Sequence, residues 1–244
     1  MNPEFQTKIT NILAAYYGIP AEKIERPGTT LRPIGPEDWD DWLELLPVGA
    51  GTGIAVPPHL WDAVAAVHAA HPANHLLNGA DFQTAWGEPA ARVGHFALYM
   101  LDRALFRPFT PDSRYTVRAL TAADAAAFAA FQARCSAPDL EESDIGLEQE
   151  APYGVFDGSR MVAGASTYMW DGLVDVGVLT DPDYRRQGLG KTAASAVCAH
   201  FVNDLAESRI VCYRHGLNNA GSRGIAESLG FSFYATAECV YCAD

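Results

Sequence analysis

The chain has 244 residues and a net charge of −13, with hydrophobic residues at 49% and charged residues at 19%. That balance fits a folded globular protein with enough apolar material for one large or two small domains. The acidic excess argues against general affinity for nucleic-acid phosphate, which rests on clustered Lys and Arg. No apolar run reaches the ~20 residues of a membrane span, and the first ten residues lack a basic-then-apolar leader pattern, so a cytoplasmic location is expected.

Residues 3–17 place Phe5, Ile9, Ile12, Leu13 and Tyr16 at helical spacing, ended by Gly18 and Pro20. Residues 29–34 suggest a short strand, and 36–46 a helix with Pro36 in its first turn and an acidic start. Residues 49–53, GAGTG, read as a flexible turn rather than a phosphate cradle, because no strand is evident before them. A strand over 54–56 and a helix over 57–70 follow. His68, His71 and His75 are spaced like one helical face. Pro72 interrupts that face and no acidic residue joins it at a matched position, so they read as structural histidines and no metal is expected. Residues 91–106 fit either a strand or a helix. The two prolines of residues 107–113 mark a junction, and a boundary near residue 110 divides the chain into segments 1–110 and 111–244.

From residue 115 the pattern is regular. Residues 115–120 alternate as a strand. Thr121 with Asp124 forms a capping box for a helix over 122–134, and a second, acidic helix is expected over 139–149. Strands over 153–156 and 161–170 are joined by Asp157-Gly158-Ser159-Arg160, a hairpin signal. A β-branched run over 173–180 leads through Asp181-Pro182-Asp183 into a glycine-containing loop and a long alanine-rich helix. A strand over 209–213, a helix over 220–229 and a strand over 231–241 complete the chain. Of the five cysteines, Cys239 and Cys242 are formally C-x-x-C, but residues three apart on a strand face opposite ways and no second ligand pair is spaced for zinc. All five read as reduced thiols.

The loop at Arg185-Arg186-Gln187-Gly188-Leu189-Gly190 stands between a strand and a helix, where free N–H groups and the positive end of the helix dipole can hold a phosphate. Gly188 and Gly190 lack side chains, so phosphate oxygens can approach the backbone. A Walker A loop is excluded, since Arg185 occupies the position of its first glycine. A dinucleotide fingerprint is excluded by the missing third glycine. The R-x-x-G-x-G of residues 185–190, preceded by V-x-V-x-T-x-P-x-Y-R over 176–185, resembles the acyl-coenzyme A signature of the GNAT N-acetyltransferase superfamily. Asn219-Ala220-Gly221-Ser222 followed by Leu229-Gly230-Phe231 is similar to the segment that ends the GNAT core. The resemblance covers about residues 114–243.

The resemblance implies an α/β (α+β) fold of GNAT type: a mixed, mostly antiparallel sheet flanked by helices over 111–244. Segment 1–110 would be an extra N-terminal α/β domain of unknown role, either shaping the acceptor site or a diverged GNAT-like half. The implied function is an acetyl-coenzyme A dependent N-acetyltransferase acting on a primary amine of a small molecule or peptide. The alternative is a non-catalytic acyl-coenzyme A binding or sensing module. The resemblance assigns the cofactor to Arg185, Arg186, Gln187, Gly188, Leu189, Gly190, Lys191 and Thr192, to the backbone of Val178, Leu179 and Thr180, and to Asn219 and Ser222. Asp175 is the candidate general base, with Glu148 and Glu150 as alternatives. Many relatives carry a tyrosine acid seven residues after the asparagine. Here that position is Ala226, which leaves Ser222, Tyr213, Tyr234 or solvent to protonate the thiolate. The acceptor and the choice between monomer and homodimer stay open, and neither a nucleic-acid nor a membrane partner is expected.

Overall fold

A computed structural model describes residues 1–35, 42–87, 90–170, 172–204 and 208–242, without the side chain of Trp170. In chain order the elements are α1 (Pro3–Tyr17), β1 (Thr29–Pro33), β2 (Trp42–Val48), β3 (Gly51–Val56), α2 (Trp61–Ala69), α3 (Gly79–Trp86) and β4 (Ala91–Met100). They continue with β5 (Tyr115–Ala119), α4 (Ala125–Gln132), α5 (Ala137–Ser143), β6 (Glu150–Asp157), β7 (Arg160–Trp170) and β8 (Leu173–Thr180). The last four are α6 (Leu189–Asn203), β9 (Ile210–Gly216), α7 (Ala220–Leu229) and β10 (Ser232–Cys242). No helix of the described residues is long and apolar enough to cross a membrane.

The chain forms two compact units. The first comprises Met1–Leu98, His215–Asn218 and Phe233–Asp244; the second comprises Tyr99–Arg214 and Asn219–Ser232. In the first unit the strand order runs β1-β3-β2-β10-β4, with β1–β3 parallel and β3–β2 and β2–β10 antiparallel. Its core gathers Leu43, Leu45, Ile54, Val56, Val64 and Phe82. Each such side chain contributes about 1.5–3 kcal/mol by leaving water. The Asn2 side chain caps α1 by accepting from the N–H groups of Glu4 and Phe5, and Gly18 closes it in the left-handed conformation.

The helix expected over 36–46 is not what forms. Residues 36–41 lie outside the described residues, and from Trp42 onward the chain is strand β2. Leu43 through Leu46 are buried on both faces, so the apolar run carries neither a helical nor a two-residue period. The glycine segment 49–53 also differs from expectation. The turn is confined to Gly49 and Ala50, and Gly51 opens strand β3. Gly53 lies under the Tyr17 ring, where a Cβ would stand 2.4 Å from Cγ. The Tyr17 hydroxyl donates to the buried Glu44 carboxylate at 2.9 Å, so Gly53 serves the seating of α1 on the strands. The ambiguous stretch from residue 91 is strand β4.

In the second unit β5, β6, β7 and β8 form an antiparallel run, and β9 joins β8 in parallel, giving the order β9-β8-β7-β6-β5. Every element expected from residue 115 on is present, in the expected order. The Thr121–Asp124 capping box forms as read. The acidic helix is shorter than expected: Ser136 caps α5, and Asp144 at φ 42° ends it. The mixed, mostly antiparallel arrangement flanked by helices is the one that the sequence implied. α6 turns Ala193, Ala194, Val197, Cys198 and Phe201 inward, and its small residues let it lie close on β6, β7 and β8. On the other face Phe128, Phe131, Phe156, Met161 and Leu179 form one apolar cluster.

Asp181, at the end of β8, is 1% exposed and accepts from Arg134 Nε at 2.6 Å and Arg160 Nη2 at 3.0 Å. It also caps the turn that follows, accepting from the Asp183 N–H at 3.1 Å. Burial pushes this carboxyl up, but the hydrogen bonds from the two arginines outweigh it and hold it below the usual carboxylate range. A depressed folded-state pKa stabilises above the unfolded value of about 3.9 and is lost as pH falls through the folded one. Asp181→Asn should therefore cost about 1.5–3 kcal/mol at neutral pH, since both arginines keep partial contact with water. In urea unfolding, the gap between the variant and the parent should narrow as pH falls from 6 to 3. A gap that does not change with pH would show that the carboxylate charge contributes nothing.

Candidate active site

β8 is paired unequally on its two sides. Toward β7 the ladder runs its full length, from Trp170↔Leu173 to Ala163↔Thr180. Toward β9 the parallel register covers only Leu173↔Ile210, Val174↔Val211 and Asp175↔Cys212. Beyond those three pairs the strands diverge. Arg214, two residues further along β9, reaches back to the fork and donates from Nε to Asp175 Oδ2 at 2.5 Å. Past the fork lies a cavity of about 430 Å³. One wall is the open edge of β8 at Gly177, Val178, Leu179 and Thr180; Tyr213 and Arg214 of β9 form another. Gly177 is required here by a close approach: a Cβ would stand 2.2 Å from the carbonyl oxygen of Ser143, where α5 ends against the strand.

The loop after β8 forms the wide end. Arg186 at φ 62° and Gly188 at φ 78° turn the backbone, and Gly188 becomes the N-cap of α6 without a side-chain capping bond. The first N–H groups of α6 thus face the cavity with the helix dipole behind them, a ready anion site. Arg185, Arg186 and Lys191 line the same end. Arg185 Nη2 is paired to Asp139 Oδ2 at 2.9 Å, and Lys191 Nζ sits 3.8 Å from the centroid of the Phe109 ring. The two glycines have different duties from those inferred above. At Gly190 a Cβ would stand 2.8 Å from Thr180 Oγ1, so its missing side chain lets α6 pack on β8; Gly188 is needed for its positive φ.

At the other end Tyr213 is buried beside Ser222, which hydrogen-bonds to it. Burial pushes the phenol well above its ordinary value, the Ser222 hydrogen bond opposes that only in part, and the Asp175 charge adds to it. Tyr213 is therefore protonated at neutral pH. Asn219 caps α7 by accepting from the Ser222 N–H at 3.0 Å and donates from Nδ2 to Glu142 Oε1 at 2.7 Å.

The fold brings Val178, Leu179, Thr180, Arg185, Arg186, Gly188, Leu189, Gly190, Lys191, Tyr213, Asn219 and Ser222 to one cavity. Three other residues singled out in the sequence lie elsewhere. The Thr192 hydroxyl is buried and donates to the Gly188 carbonyl at 3.0 Å, inside the helix. Gln187 accepts from the Tyr115 hydroxyl at 2.8 Å, off the cavity wall. Asp175 sits at the fork behind Arg214. Glu150 pairs with Arg209 at 3.0 Å, and neither it nor Glu148 is on the wall. Tyr234 is in the first unit, hydrogen-bonded to Thr10. Ala226 is fully buried. Sequence reading missed Asp139, Glu142 and Arg214. The acidic character of the α5 region was visible, but only the packing of α5 on β8 turns two of its carboxylates toward the cavity.

A family profile described as GNAT acetyltransferase matches residues 147–239. No curated protein matches the chain. Among solved structures, a Drosophila protein is similar over 98% of this chain and 88% of its own, at TM-score 0.53 and 15% identity. A GCN5-related N-acetyltransferase from Kribbella flavida is similar over 66% of this chain and 63% of its own, at TM-score 0.50 and 20% identity. A GNAT-family protein from Novosphingobium aromaticivorans is 23% identical over 64% of this chain and 69% of its own, at TM-score 0.47. At these identities the structural likeness speaks for the fold alone. The forked strand pair and the uncapped helix after the R-x-x-G-x-G loop lie within or beside the segment, residues 147–239, that matches the GNAT acetyltransferase profile.

Proposed function

We propose that this chain is an N-acetyltransferase that moves an acetyl group from acetyl-coenzyme A to a primary amine of a small molecule or peptide. The observation that carries the reading is the fork between β8 and β9, opening beside the uncapped N-terminus of α6. The residues present fit the cofactor. The α6 N–H groups with Arg185, Arg186 and Lys191 suit a pyrophosphate, and the unpaired edge of β8 suits the amides of a pantetheine arm. When bound, the cofactor supplies the activated acetyl thioester.

The chain's own residues then have separable tasks. A backbone N–H in the Val178–Thr180 stretch donates to the carbonyl oxygen on which negative charge develops. Asn219 orients the arm, and its amide is already fixed by Glu142 and by the cap it makes. The attacking amine must first lose a proton. Glu142 stands on the wall, whereas Asp175 reaches the cavity only through Arg214, so Glu142 takes precedence as base and Asp175 sets the position of Arg214. Tyr213, protonated and beside Ser222, would be the side-chain proton donor at the thiol end of a bound cofactor. This assigns to β9 the acid that relatives place on α7, where Ala226 stands here.

Ala226 also favours a second reading, a module that binds acyl-coenzyme A without turnover. A panel of amines assayed for release of free thiol separates the two: absence of thiol release with every amine in the panel, despite coenzyme A binding, supports the second. Two outcomes are expected under the first. Arg186→Glu and Lys191→Glu should each weaken coenzyme A binding about tenfold or more by titration calorimetry. They should leave the unliganded melting temperature nearly unchanged, because exposed charges contribute little to stability. Normal binding by both variants would remove the loop from the site. Tyr213→Phe should lower kcat roughly 100-fold with coenzyme A affinity within threefold, the pattern of a lost proton donor. A fall of less than threefold would leave the thiolate to be protonated by solvent.

A further inference from the structure

We propose that the first unit carries a binding site for a zinc-class divalent cation, held by His71, His75 and Asp81. The sequence offered no acidic residue in register with these histidines. The fold supplies one: the chain leaves α2, turns through residues 70–78 and starts α3, which places Asp81 against both rings. Their ligand atoms all lie within 4.8 Å of one another. Asp81 Oδ1 is 3.5 Å from His71 Nε2, and Asp81 Oδ2 is 3.0 Å from His75 Nε2. The two imidazoles are stacked, with centroids 4.4 Å apart and planes 13° apart.

The atoms behind the ligands are what distinguish this group from a chance ion pair. Metal-bound imidazole usually donates its second N–H to a carbonyl or carboxylate, which fixes the tautomer. His71 Nδ1 lies 2.8 Å from the Val67 carbonyl oxygen. A carbonyl can only accept, so Nδ1 carries a proton, and a ring bound to an ion through Nε2 would keep that hydrogen bond. The Asp81 carboxylate is oriented too, since Oδ2 accepts from the Asn78 N–H at 2.9 Å as part of the α3 capping box. The His75 backbone is pinned to β1: its carbonyl accepts from the Thr29 hydroxyl at 2.9 Å, and the same hydroxyl oxygen accepts from the Leu77 N–H at 2.9 Å. All three side chains keep partial contact with solvent, at 28%, 34% and 16%, so an ion has a way in.

Two imidazoles with one carboxylate select a borderline cation over magnesium or calcium, which take all-oxygen sets. Tetrahedral zinc at about 2.0–2.1 Å brings its donors to within about 3.5 Å of one another, so the widest pair of ligand atoms must close by about 1 Å, within reach of side-chain rotation. On binding, His75 would exchange its contact with Asp81 for the ion, with Nε2 as the ligand atom and the ring proton on Nδ1. Three protein ligands leave the fourth position to water. The bound ion would tie the α2–α3 connection to the start of α3. This assignment is independent of the acetyl-transfer reading.

The full-length chain, stripped with a chelator, should be titrated with zinc by calorimetry and with cobalt(II) by visible spectroscopy. One zinc per chain, a raised melting temperature and a tetrahedral cobalt spectrum without a thiolate charge-transfer band are expected. Magnesium should give no heat. His75→Gln and Asp81→Asn should each weaken zinc binding at least about tenfold. Asp81→Asn keeps an oxygen for the Asn78 N–H, so its unliganded melting temperature should stay near the parent's. His68→Gln should bind normally. Should a variant fold poorly, zinc-dependent shifts of the His71 and His75 ring nitrogens in the parent chain give the same answer by NMR. No stoichiometric binding, a cobalt–thiolate band, or affinity unchanged in both ligand variants would overturn the site and leave a hydrogen-bonded His–Asp cluster.

Discussion

The constraint on which the second unit turns is that β8 must satisfy two incompatible neighbours. β7 holds it in an unbroken ladder, while β9 keeps pace for only three residue pairs. A sheet that opens in this way leaves backbone donors and acceptors without strand partners on one edge, and buried backbone groups must find a partner somewhere. The fork is not left to fray. Arg214 crosses back to Asp175 at the branch point, and α5 drives the Ser143 carbonyl against Gly177 just beyond it. The first contact ties the strands where they part, and the second keeps the freed edge from closing again. The result is a wall of oriented N–H and C=O groups that a linear, amide-bearing ligand can complete as a third strand would.

Charge is arranged on the same principle of prepared but partly engaged groups. The chain is strongly acidic, yet the loop between β8 and α6 concentrates Arg185, Arg186 and Lys191 around an uncapped helix N-terminus. Arg185 is already paired with Asp139, and Lys191 lies over Phe109. The buried Asp181 stands directly before this loop, and its two arginines fix where β8 ends and the turn begins. The start of the loop is thus held by a charge cluster outside the cavity.

Much of the second unit was legible in the sequence because its signals are local. The capping box at Thr121, the hairpin at Asp157–Arg160, the β-branched run of β8 and the Ala-rich helix each depend on residues a few positions apart. The R-x-x-G-x-G loop is equally local, which is why its backbone turned out where expected. Failures cluster where burial removes the period. β2 is apolar on both faces and offered no alternation to read, so an acidic, proline-led start made residues 36–46 look helical. The glycines at 49–53 were read as slack, although Gly53 is fixed by a tyrosine ring from α1 that no local pattern could disclose.

The sequence by itself therefore determined the order of elements from residue 115 on, the position of the R-x-x-G-x-G loop between β8 and α6, and the likeness of that region to the GNAT acetyltransferases. Tertiary structure alone decided which side chains meet at either end of that loop. It withdrew Asp175 behind Arg214, turned Thr192 into its own helix, brought Glu142 of α5 to the wall, and set Tyr213 beside Ser222 where α7 offers only Ala226. It also carried Asp81 to His71 and His75 across a helix–loop–helix turn. The physical reason is the same in each case. A helix or strand is chosen by interactions among near neighbours, whereas the direction of a side chain and the company it keeps depend on where distant elements pack.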